Sequence, residues 1–281
     1  MSAGAIDPIL GLVPAFLTRL DNVGLLLWVT AFFVTMTLVG SGYGFLIERV
    51  LPKRRMFDVP LAKGQYRFEL YGNLVFVAVA ITAVTGVLSL GWVRFADGWV
   101  RGLGTFFALM FGFQFFYYFL HRAMHHKSLL RFHRWHHRSQ VTTPLSAQSV
   151  SFVEACGWML GYVGLPLLFS LVVPISFEGW AGYLAFNVFG NIVGHSNVEP
   201  NGPQFGNRGI IWAVNPFIFH GLHHARWTGH YSFQAGAMDR LFKTEWDDWP
   251  QLFKRIIDGR PLTSLKDRGE VEPKQAVEKG T

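Results

Sequence analysis

All eleven histidines of this 281-residue chain lie between His121 and His230, and nine fall in three tight groups. These are His121, His125 and His126 in HRAMHH, His133, His136 and His137 in HRWHH, and His220, His223 and His224 in HGLHH. Spacings of three and four put side chains on one face of a helix, so each group would present stacked imidazoles. Imidazole suits iron, zinc, copper and nickel, whereas magnesium and calcium take oxygen donors. One ion takes at most about six donors, so nine or more clustered histidines argue for two metals sharing a site. The single cysteine, Cys156, excludes a thiolate zinc site, a cysteine-held iron–sulfur cluster and an internal disulfide. Carboxylates are scarce nearby, with Glu154, Glu199 and Asp239 the candidates, so the site reads as histidine-rich, unlike glutamate-built four-helix di-iron proteins.

Other polar residues run in register with these groups. Gln114, Tyr118, His121 and His125 recur at i, i+4, i+7 and i+11, and Asn187, Asn191 and His195 at i, i+4 and i+8, which brings His195 to the same end. Asparagines in a span also serve plain helix packing. Gln148, Ser151 and Glu154, spaced by three, form a further face, and with Asn191 they are candidates for groups that orient the ligands. His230 stands alone, and reads either as an additional ligand or as a hydrogen-bonded core histidine.

The elements that must position these groups are apolar. The chain is 51% hydrophobic and 16% aromatic but only 15% charged, against about a quarter in soluble domains. Long uncharged runs make it an integral, multi-pass membrane protein of the all-α class, a helical bundle with a cytoplasmic histidine-rich metal site. Runs at 23–45, 68–90 and 103–120 are long enough to span, and 152–194, broken by Pro166, Pro174 and Glu178, is long enough for a second hairpin. The stretch 210–219 is too short and is expected in the interface. Residues 1–8 carry no basic cluster, so no removable leader is expected. Arg49, Lys53, Arg54, Arg55, Lys63 and Arg67, and then Arg122, Lys127, Arg131, Arg134 and Arg138, flank the spans on the side that holds the histidines, and the positive-inside rule makes that side cytoplasmic. The net charge of +7 is thereby a topology signal, and no nucleic-acid partner is expected. Three regions follow: an N-terminal transmembrane region at 1–102, a catalytic region at 103–250, and a polar, mobile tail at 251–281. A bacterial inner membrane is the expected location.

HRAMHH, HRWHH, GHSN around His195, and HGLHH followed by HYSFQAGAMDRLFKTEW resemble the fatty acid hydroxylase/sterol desaturase superfamily of membrane di-iron oxygenases. The resemblance covers roughly residues 105–250. The stretch TPLSAQSVSFVE is similar to the sterol-acting branches, with Gln148, Ser151 and Glu154 nearer the hydroxylase form. Two departures stand out: Ser151-Phe152 replaces a common His-Pro pair, and His230-Tyr231-Ser232 replaces a common Asn-Tyr-Gly. In the first motif either His125 or His126 pairs with His121. The resemblance implies two iron ions, although members can hold zinc when isolated, and a hydroxylase or less readily a desaturase.

The implied chemistry is O2-dependent attack on an unactivated C–H bond of a lipid or sterol-like substrate, which no side-chain acid or base performs without a metal. Phe111, Phe113, Phe115 and Phe116 are candidates for lining the substrate route between membrane lipids and the metals. With no cysteine cluster or dinucleotide fingerprint, electrons are expected from a separate donor, for which the basic face could be a docking surface. The rival reading is a non-catalytic histidine-rich metal transporter or sensor, whose ligands belong near the midplane of the spans rather than at their ends. A bis-histidine haem protein is a third reading, and an absorbance spectrum would decide it.

Overall fold

The structure is a computed structural model and describes residues 19–209 and 212–270. Among these there is no β-strand, only three isolated bridges. Four helices have the length and apolar character to cross a membrane: α1 (Asn22–Val50), α2 (Gln65–Ser89), α3 (Trp99–Met124), and a fourth at 152–172. That fourth helix joins α5 (Phe152–Met159) to α6 (Leu165–Val172) through one π-helical turn, with Pro166 tolerated in the first turn of α6. α7 (Phe177–Gly194) then returns along α1 and α3, so the expected second hairpin is present.

The bundle buries aromatic and branched side chains on its inner faces, including Phe33, Phe76, Leu109, Phe113, Trp180 and Ile192. The outer faces of α1 to α3 expose Leu27, Leu38, Leu74, Phe107 and Phe111, which suits contact with acyl chains. α2 comes close to the segment 144–150 at Gly72, where a Cβ would lie 2.6 Å from the Ser149 Cα. No residue with a side chain fits there, and the contact brings residues 139–150 under the histidines.

The two ends of the bundle are closed differently. At one end the loop between α2 and α3 bridges to the α6–α7 turn, through Phe95 and Ile175. At the other, the loop after α1 meets the segment after α7, with the Met56 N–H donating to the Asn197 carbonyl at 3.2 Å. The basic stretch 49–67 is therefore at the histidine end.

A second, smaller core sits beyond that end. It packs Met56, Phe57, Ile218, Phe219, Trp249, Phe253 and Leu262 between α8 (Phe217–Arg226) and α10 (Trp249–Ile257). The remaining short helices are α4 (Leu130–His133) and α9 (Ala237–Leu241). α10 buries Leu252, Phe253 and Ile256, and Leu262 exchanges backbone hydrogen bonds with Met56 and Asp58. Residues 251–262 are thus held in this core and are not the mobile tail their polar composition suggested: apolar residues three and four apart suffice to dock a short helix. Residues 271–281 lie outside the described residues, as do 1–18 and 210–211 of the stretch expected in the interface.

Candidate metal centre

Nine histidines converge between the two cores in two groups: His121, His125, His133, His137 and His223, and then His136, His195, His220 and His224. In each group one nitrogen per ring lies within 4.8 Å of the others. Helical pitch explains the division. The pairs four residues apart, 121 with 125 and 220 with 224, share a side of their helix and a group, whereas the neighbours His223 and His224 differ by about 100° and face different groups. The HRWHH motif is not one helix, contrary to the regular spacing: α4 ends at His133, and His136 and His137 lie on a separate 3₁₀ turn. The result is the same sharing, with His133 and His137 in the first group and His136 in the second.

The Nε2 atoms of six rings point inward at one another. Nε2 of His133 and His137 are 3.1 Å apart, as are those of His137 and His223 and of His220 and His224, and those of His195 and His220 are 3.0 Å apart. Nε2 of His121 and of His125 are buried and have no partner among the described residues. Five donors in the first group also exceed the four of a tetrahedral zinc site. The donor set and its orphaned nitrogens fit a metal of higher coordination number, as iron is.

In five of the rings the opposite nitrogen is anchored, which fixes the tautomer and leaves Nε2 free for a metal. His121 Nδ1 donates to the Tyr231 carbonyl, His195 to Asn191 and His223 to Gly229, each at 2.7 Å, and His224 to Ser139 at 2.9 Å. His133 Nδ1 meets Glu154 Oε1 at 2.7 Å. Burial holds the rings neutral, and the His136 imidazole adds to it at His125 and His195: His125 and His136 fall to about 4 and His195 to about 3. They remain unprotonated, and so able to bind metal, well below pH 6.

Each of the three scarce carboxylates supports an element of the site. Glu154 meets His133. Asp239 accepts from the Tyr231 and Ser232 N–H groups at 2.8 and 2.7 Å and so fixes the carbonyl that holds His121. Glu199 accepts from the Ile218 N–H at 2.9 Å at the start of α8, whose N-cap, Pro216, has no side chain to do so. A fourth carboxylate went unread in the sequence. Glu69 on α2 is fully buried and accepts from Ser139 Oγ and Thr143 Oγ1 at 2.7 Å each and from Gln65 Nε2 at 2.8 Å. It thereby steadies the Ser139 carbonyl under His224. Its signal was the stripe Gln65, Glu69, Asn73 at i, i+4, i+8.

Several candidates lie elsewhere. His126 is exposed, with Nδ1 2.8 Å from Ser128 Oγ, and belongs to neither group, so His125 is the partner of His121. His230 is buried flat against Phe219, its Nδ1 donating to the Phe219 carbonyl and its Nε2 accepting from the Trp246 N–H. Both nitrogens are used, and it is a core histidine. It closes a turn in which Trp227, Gly229 and His230 all have positive φ. Ser151 caps α5 by accepting from the Glu154 N–H at 3.2 Å. Gln148 is buried and its Oε1 accepts from Thr37. Asn191 contributes its backbone carbonyl to His195, while its side chain donates to Ala147.

A cavity of about 750 Å³ opens between α3 and α7, and His220 is on its wall. Of the four phenylalanines expected along a substrate route, Phe111 lines it, while Phe113 is buried against Tyr162 in the bundle core.

Residues 106–244 match the fatty acid hydroxylase family. The chain is similar to a very-long-chain aldehyde decarbonylase of Oryza sativa subsp. japonica, 30% identical over 151 residues, which are 52% of this chain and 24% of that protein. A second decarbonylase of the same plant is 29% identical over 229 residues, 77% of this chain and 35% of the relative. A very-long-chain aldehyde decarbonylase of Arabidopsis thaliana is 28% identical over 152 residues, 52% and 24% of the two chains. The chain thus spans between a quarter and about a third of the length of these relatives. They are plant proteins and lend no support to a bacterial inner membrane. No solved structure matches the chain. Through the region that carries all nine converging histidines, the chain belongs to the fatty acid hydroxylase family, within the fatty acid hydroxylase/sterol desaturase superfamily.

Proposed function

We propose that the protein is a membrane di-iron oxygenase that hydroxylates, or desaturates, a long-chain lipid with O2 and electrons from a separate donor. The observation that carries this reading is the pair of histidine groups beside an apolar cavity that opens on the side of the bundle. The two iron ions would be held by the five-histidine and four-histidine groups, one each, and would supply the O2-dependent oxidation of a C–H bond. The chain's own residues hold the rings neutral and aimed inward through the five Nδ1 contacts, and exclude water from the centre by burial. Phe233 stacks on His195 and meets the edge of His220, forming an apolar wall between the cavity and the second group. The likeness to aldehyde decarbonylases favours a chain with an oxidised end as a second substrate reading.

Lipid profiling by mass spectrometry of cells with the intact protein, and of cells without it, tests the reading. A lipid with one added oxygen indicates hydroxylation, and one with two fewer hydrogens indicates desaturation. Unchanged lipids together with metal flux into vesicles would replace this function with transport.

A further inference from the structure

The α3–α7 cavity is apolar over most of its wall, with Phe107, Phe111 and Phe186 turned to the outside of the bundle. Its volume lies within the range of about 300–1,000 Å³ usual for small-molecule sites. Two polar groups on that wall make no hydrogen bond among the described residues: Asn215 Oδ1 and His220 Nδ1. Their residues are 7% and 2% exposed. Native interiors rarely leave such atoms unpaired, so these two call for a partner from outside the chain.

The hydrogen-bonding role of each atom is fixed by its neighbours. His220 Nε2 faces the histidine group, 3.0 Å from His195 Nε2 and 3.1 Å from His224 Nε2, and with a metal bound there the ring proton is on Nδ1, a donor. Asn215 Nδ2 donates to the Phe233 carbonyl at 3.0 Å, which makes Oδ1 an acceptor. By contrast, on the same wall Gln114 Nε2 donates to Gln234 Oε1 at 2.6 Å, and Gln234 Nε2 donates to Asn187 Oδ1 at 3.0 Å. One donor and one acceptor together fit a group that both accepts and donates. A hydroxyl does so. An aldehyde, ester or ether oxygen can use only the His220 proton, and a methyl end can use neither.

We propose that this cavity binds a long-chain lipid bearing a hydroxyl group, with the hydroxyl between His220 Nδ1 and Asn215 Oδ1 and the chain lying toward Phe107 and Phe111. The assignment rests on the oxygenase reading and adds to it: the oxygen-bearing part of the substrate, rather than the middle of an unmarked chain, lies next to the metal ligands. The carbon oxidised is then near the hydroxyl. Each additional methylene along the apolar wall raises affinity about fourfold until the cavity is full.

The test is displacement of a fluorescent acyl-chain probe from the iron-loaded full chain in lipid nanodiscs. The competitors are 1-octadecanol, its methyl ether and octadecanal. The expected result is octadecanol binding roughly tenfold more tightly than the ether or the aldehyde, the worth of one well-made hydrogen bond. Asn215→Leu should bring the three within about twofold of one another, and Asn215→Asp, which keeps the acceptor, should retain the preference. Equal binding of alcohol and ether by the natural chain overturns the proposal. So does a preference that persists in Asn215→Leu at unchanged iron content. If that variant fails to fold, the comparison of alcohol, ether and aldehyde on the natural chain decides. Selective alcohol binding without O2-dependent turnover would keep the cavity assignment and remove the oxygenase reading. Turnover without alcohol selectivity would do the reverse.

Discussion

Replacing Glu154 separates geometry from charge at the His133 anchor. Glu154 Oε1 takes two donors, His133 Nδ1 at 2.7 Å and Trp158 Nε1 at 3.3 Å, in a residue that is 2% exposed. Water cannot reach in to replace it. Glu154→Leu leaves both donors buried and unpaired, at about 1–3 kcal/mol each, and frees the His133 ring to turn. Glu154→Gln keeps an acceptor oxygen and loses only the charge-assisted part of the bond, about 1 kcal/mol. Groups that orient metal ligands typically contribute 10- to 100-fold in metal affinity. The expected order is therefore natural chain, then Gln about tenfold weaker, then Leu about 100-fold weaker. Iron retained per chain after dialysis against graded chelator measures it, with helical content recorded alongside. If Glu154→Leu holds iron as the natural chain does, or if Gln falls below Leu, Glu154 does not act through His133.

Other perturbations probe the remaining supports. His136→Ala should strip iron and abolish turnover, while His126→Ala, outside both groups, should leave iron content and product unchanged. Gly229→Ala should lower stability by about 2 kcal/mol or more, seen as a lower melting temperature together with weaker iron retention. Its φ is +69°, a Cβ would lie 2.6 Å from Trp246 Nε1, and its carbonyl holds His223. In the metal-stripped protein, His125, His136, His195 and His230 fall to between about 3 and 4 when folded, against about 6.5 unfolded. The unfolded chain therefore binds more protons in that window, and stability should fall as pH drops from 6.5 toward 4, by about 1.4 kcal/mol per pH unit for each buried ring. Glu199, raised to about 7 by burial, and Asp239, also raised by burial, oppose this in part. Melting temperatures of the stripped protein that stay level or rise between pH 7 and 5 would contradict the burial argument.

The spans were legible because about twenty apolar residues in a row have few other uses: the run read at 68–90 is the helix Gln65–Ser89, and that at 103–120 lies inside Trp99–Met124. The histidine groups were legible for the converse reason, since so many imidazoles beside apolar helices have no cheap structural role. Their division was harder to see. It depends on which ring of each adjacent pair turns to which group, and in HRWHH on a break after His133 that spacing does not reveal. The carbonyls of Ser139, Asn191, Gly229 and Tyr231 were invisible as anchors, because a backbone acceptor has no residue type. Glu69 was passed over because one carboxylate inside an apolar run reads as an interruption until its partners at 139 and 143 are brought beside it. His230 reads either way from its residue type, and only its two hydrogen bonds make it part of the core.

The central claim is that the two histidine groups together carry out O2-dependent oxidation of a lipid. Oxygen uptake by the purified, iron-loaded full chain in lipid nanodiscs, supplied with an external reductant, tests it most directly when measured with and without a long-chain lipid alcohol. The account predicts uptake that depends on the lipid, is matched by oxidised lipid product, and is lost in His136→Ala. Uptake indifferent to lipid, or lipid left unchanged by a protein that retains its iron, would contradict it.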